Sequence, residues 1–95
     1  MNFADEIARR QNDFNRIAVQ ILLTDLDLGL TFAKIAAGPY EPEIRARNIA
    51  NARSVYETIS NSRPSVSMEE KDALTFADGL QLLKDRLSEL GELFE

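Results

Sequence analysis

The 95 residues include no cysteine, no histidine and no tryptophan, and only four glycines and three prolines. Without cysteine there is no disulfide and no thiolate nucleophile; without histidine there is no imidazole base, and the two together remove the usual zinc ligands. Scarce Gly and Pro leave few helix breakers. Positive charge is also short: 11 Lys and Arg stand against 16 Asp and Glu, a net of −5. That field repels phosphate backbones and anionic head groups, so nucleic acid and membrane surfaces are not expected partners. No uninterrupted apolar run has membrane-spanning length. Residues 17 to 37 come closest, but Asp25 and Asp27 lie near their centre, and each central Asp costs about 2.5 to 3.5 kcal/mol on insertion. The first ten residues carry Asp5 and Glu6 where a signal peptide needs basic residues, so the expected location is cytoplasmic.

What is present is a globular composition, 44% apolar and 28% charged, in a chain long enough for a single domain over residues 1–95. Two breaks divide it. Gly38-Pro39 joins a residue that readily adopts a left-handed helix end to one that cannot continue a helix, and Pro42 suits the next first turn. Asn61 to Ser65 is a polar run, followed by Ser67-Met68-Glu69-Glu70 in the spacing of a capping box. With Asn2 as first cap, the pattern predicts three helices over roughly 3–37, 42–61 and 68–93. No segment alternates with the strand period.

Placing residues at about 100° steps defines the buried faces. In the third helix Ala73, Phe76, Leu80, Leu83, Leu87, Leu90 and Phe94 form a 3-4 seam. The second is weaker, with Ile44, Ala52, Val55, Tyr56 and Ile59 on a side that also holds Asn48 and Asn51. The first carries two stripes. Ile7, Phe14, Ile21, Leu28 and Ile35 recur every seventh residue. Val19, Leu23, Leu26, Leu30, Ala33 and Ala37 lie about 160° away, giving an apolar arc of about 200°. An arc this wide predicts contacts on two sides. At about 50 Å the first helix also outreaches the second, at about 30 Å, leaving Phe3, Ile7 and Phe14 for the third helix or a second copy.

Asp25 is the one acid set inside an apolar face. Counting outward from the turn near residue 38 puts it level with Asn51, and Asn48 is one turn nearer the loop. A buried polar cluster of Asp25, Asn48 and Asn51 is therefore expected, fixing the register of the first two helices. Asp27 falls on the polar side. Arg45, Arg47 and Arg53 form a locally basic stretch able to grip a partner's carboxylates or a phosphate, or to pair with acids of the other helices. The acids of residues 69 to 92 read as a solvated face. Ser54, Ser60 and Ser67 have no base at hand. No phosphate loop, metal-binding loop or catalytic constellation is present, so no cofactor and no enzymatic activity are expected.

Ala52, Tyr56, Ile59 and Pro64 follow the spacing of the second helix of a tetratricopeptide repeat, and residues 52–64, 13 of the 95, resemble half a repeat. Ile59 is larger than the pattern's small residue, and the Trp, Leu-Gly and Tyr of a preceding repeat helix are absent. Residues 48–56 are similar to stretches of short bacterial helical proteins that imply no function. The resemblance implies protein interaction and assigns no residue roles.

The expected architecture is an all-α, three-helix antiparallel bundle with a long first helix, self-associating as a homodimer and acting as a protein-interaction or structural module, with another protein as a further partner. The alternative is a small-ligand-binding bundle with a cavity near Gly29, Gly79 and Asp25; a carboxylate-based enzyme ranks third. At net −5 the protein should not shift duplex DNA or structured RNA at near-physiological salt. Mobility-shift titration checks this, and micromolar binding that weakens steeply with salt would contradict it.

Overall fold

The computed structural model describes residues 2 to 94, so Met1 and Glu95 at the ends of the expected domain lie outside the described residues. The fold is all-α: α1 spans Phe3–Ala36, α2 Pro42–Ser62 and α3 Glu70–Glu89, with a short 3-10 turn at Arg63–Ser65. The principal extents are 59 × 21 × 20 Å, the long dimension coming mainly from α1.

Each helix end has a local cause. Asn2 caps α1 as expected: its Oδ1 accepts from the Asp5 amide at 2.8 Å, and Asp5 and Glu6 complement the positive end of the helix dipole. At the other end Gly38 is not left-handed. The helix closes by tightening, with the Gly38 amide donating to Ile35 O at 3.0 Å, and the Tyr40 ring lies 2.8 Å from where a Cβ at position 38 would sit. Glycine is used there for close approach rather than for its φ. Pro42 opens α2.

The expected capping box does not form. Glu69, not Ser67, stands at the N-cap of α3 and makes no side-chain cap bond. Val66 and Met68 both pack against the core, and two inward side chains two residues apart require extended backbone, which delays the helix. α3 also stops at Glu89 rather than continuing to 93. Gly91, with φ 98, takes the left-handed position. Its amide donates to Ser88 O and that of Glu92 to Leu87 O, both at 3.0 Å, which is the Schellman pairing.

The core lies where the helices meet. α1 contributes Val19, Leu22, Leu26, Gly29, Ala33 and Ala36, packed against Ala52 and Ile59 of α2 and Phe76, Leu83 and Leu87 of α3. The buried face of α1 thus takes Val19, Leu26 and Ala33 from the second predicted stripe and Leu22, Gly29 and Ala36 from the arc between the two. All three helices meet at Gly29, where an added Cβ would sit 2.9 Å from both Val55 Cγ1 of α2 and Leu83 Cδ2 of α3. Gly79 of α3 similarly receives Leu26 Cδ2, at 2.5 Å from an added Cβ.

Gly29→Ala therefore sets two effects against each other. Helix propensity favours Ala by about 1 kcal/mol, and overpacking against a stiff β-branched neighbour costs about 1 to 3 kcal/mol. A net loss of about 1 kcal/mol is expected from denaturant melts. A gain would mean that the helices are not in contact there.

Candidate functional site

The residues singled out in the sequence do not converge. Asp25 is half-buried, Asn48 is half-buried and Asn51 is exposed, and among the described residues no polar or charged residue is fully buried. The Asn48 amide donates to Ile44 O of its own helix at 2.8 Å, and no hydrogen bond joins Asp25 to either asparagine. The expected cluster is thus absent, and the reason is rotation. The buried face of α1 is centred between Leu26 and Gly29, and Asp25 lies about 70° round from it, beside Ile17, Ile21 and Thr24 on the outer surface.

The basic stretch also divides. Arg45 and Arg47 are exposed and make no ion pair among the described residues. Arg53, by contrast, is engaged within the chain. It donates from Nε to Glu57 Oε1 at 2.9 Å and from Nη1 to Leu93 O at 2.8 Å. Its guanidinium lies 4.2 Å from the Phe94 ring centroid. Phe94 meets Tyr56 edge-on, with centroids 5.0 Å apart at 71°. The left-handed turn at Gly91 directs this tail back onto α2, so Phe94 packs from a folded-back segment and not from a continuing helix.

The interior is filled where a ligand-binding bundle would need room: Val55, Leu83 and Leu26 occupy the space at Gly29 and Gly79. Among the described residues no group of three acidic side chains is placed to hold a metal ion, and no helix is long and apolar enough to cross a membrane.

What remains is a surface. Phe3, Ile7, Phe14, Ile17, Ile21 and Leu28 are exposed to 78%, 41%, 71%, 60%, 55% and 46%. With Arg10 and Thr24 completing the rows, they step by 4, 3, 4, 3, 4, 3 and 4, the alternation of a helix-pairing seam. This seam lies about 110° from the buried face of α1. Only its far end, at Phe32 and Ile35, is half-covered. Residues 2 to 14 are all exposed, the first half-buried position being Asn15, so neither α2 nor α3 covers Phe3, Ile7 and Phe14. Beside the seam the 3-10 turn and its exit form a cleft lined by Ile7, Phe14, Ser65 and Ser67. Phe3 and Ile17 are the members that a strict sevenfold reading misses; the four-residue step before Ile7 and the three-residue step after Phe14 identify them.

No family model, curated protein or solved structure matches the chain. The half-repeat segment forms the last part of α2 and the turn after it, with Ala52 and Ile59 as core residues.

Two expectations follow. Asp25→Ala should change stability by about half a kcal/mol or less, no more than Asp27→Ala does; denaturant melts that separate them by over 1 kcal/mol would restore a structural role for Asp25. Arg53→Ala should cost about 1 to 2 kcal/mol through the lost tail anchor, whereas Arg47→Ala should fall within about 0.5 kcal/mol. Arg53→Lys, lacking the planar fork, should recover only part of the loss.

Proposed function

We propose that this chain is a protein-interaction or structural module, built as an antiparallel three-helix bundle, whose working surface is the outer apolar seam of α1. The observation that carries the reading is the seam itself: six large apolar side chains, each at least 41% exposed, in one 3-4 row. Scattered surface apolar residues are ordinary, but a contiguous row of this length marks a recognition surface. The occupant suited to such a row is an apolar helix face, from a second copy or from another chain, seated by interdigitation of side chains. The acid excess and the dispersed arginines favour a protein over nucleic acid as partner. A non-catalytic role and a cytoplasmic setting belong to the same proposal.

The test compares Phe14→Ser/Ile21→Ser with Leu74→Ser, which removes an exposed leucine of α3 outside the seam. Both should keep the wild-type thermal midpoint within a few degrees, since neither touches the core. The seam variant should lose partner chains retained by the wild type, read by light scattering and by affinity capture from the source organism, and Leu74→Ser should keep them. Equal retention by all three proteins would overturn the reading.

A further inference from the structure

We infer that the seam is occupied by the same seam of a second copy, the two α1 helices crossing antiparallel over residues 3 to 21 about a two-fold axis near Asn12. This rests on the interaction-module reading and names its partner. In this register each residue faces the one whose number completes a sum of 24: Phe3 meets the second copy's residue 21, Ile7 its residue 17, and Arg10 its residue 14. Phe3, Ile7, Ile17 and Ile21 each find an apolar counterpart, and Phe14 meets Arg10. Arg10, the one charged member of the row and already paired with Glu6 of its own helix, meets the aromatic face of the second copy's Phe14, beside the Asp13–Arg16 pair. A parallel, in-register pair would set Arg10 against Arg10. Shifting the antiparallel pair by one heptad would set Arg10 against Ile21 and Ile7 against Thr24.

Shape and area agree with this choice. Residues 2 to 14 are all exposed, and only the 3-10 turn and its exit reach beside them, at Ile7 and Phe14. In the proposed register the bulk of the second body lies beyond residue 9 of the first and extends away from it, so the two bodies sit at opposite ends and come level only at their 3-10 turns. At about 150 to 250 Å² per large side chain, the exposed fractions of Phe3, Ile7, Phe14, Ile17 and Ile21 amount to about 900 to 1,500 Å² over both copies. This overlaps the range of a stable interface, about 1,200 to 2,000 Å².

The absence of native cysteine makes cross-linking decisive. Ile7→Cys and Ile17→Cys, each alone and then mixed, are treated with oxidant or a short bismaleimide at micromolar concentration. The expected result is a species of twice 10.7 kDa in the mixture and little in either variant alone, with Gln11→Cys cross-linking to itself near the axis. Self-linking of Ile7→Cys and of Ile17→Cys would mean a parallel pair and overturn the inference. No linking, with a monomer mass by light scattering, would overturn it as well. If the Phe14→Ser/Ile21→Ser variant still lost a different captured chain, the interaction-module reading would survive that failure; if it lost nothing, both would fall.

Discussion

The packing depends on the near-contact of three helices at Gly29. Because that position has no side chain, Val55 of α2 and Leu83 of α3 both press onto the backbone of α1, and Leu26 does the same against Gly79 one layer away. Close axes keep the neighbouring core side chains small or fully buried, as at Ala33, Ala36 and Ala52. They also fix the rotation of α1: with Gly29 turned inward, Leu22, Leu26 and Ala33 follow it, and Ile21 and Leu28 must turn outward. The exposed seam is thus the geometric complement of the packed one.

This constraint explains which parts of the fold could be read in advance. The number of helices, the Asn2 cap, the Pro42 start and the α3 seam through Phe76, Leu83 and Leu87 follow from local chemistry and period, and all are present. The rotation of α1 does not follow, because an apolar arc of about 200° offers two half-turns of equal hydrophobicity. Asp25, near the middle of that arc, looks interior from one and peripheral from the other. Level counting placed Asp25 and Asn51 at one height, but height without angle makes no hydrogen bond. A small residue at an inward position, Gly29, held the missing angular information.

Two helix ends show local signals overridden by packing or left unread. Ser67 and Glu70 have the capping spacing, yet the inward anchoring of Val66 and Met68 holds residues 66 to 69 extended. Gly91 was a stop signal within a spacing, Leu87, Leu90, Phe94, that also fits a continuing helix. The backbone obeys the glycine, and the aromatic ring reaches the core by a route that helical periodicity does not describe. As for the site, the seam was legible as an excess of apolar positions on α1. The commitment of Arg53 was not, because its partners, Leu93 O and the Phe94 ring, exist only once the tail has turned back.

The overhang of α1 has a dynamic consequence. Residues 3 to 14 hold their helix by backbone bonds, capping and the Arg10–Glu6 and Arg16–Asp13 pairs, with no core behind them, and surface pairs of this kind contribute only tenths of a kcal/mol, roughly 0.3 to 0.5 each. This stretch therefore opens as a unit of its own, at a small fraction of the free energy needed to expose Leu26 or Ala33. Amide exchange along one continuous helix would run from fast to globally limited within about two turns of Asn15. A chain seating on such an arm would also hold it closed, so part of the binding energy would go into suppressing that opening.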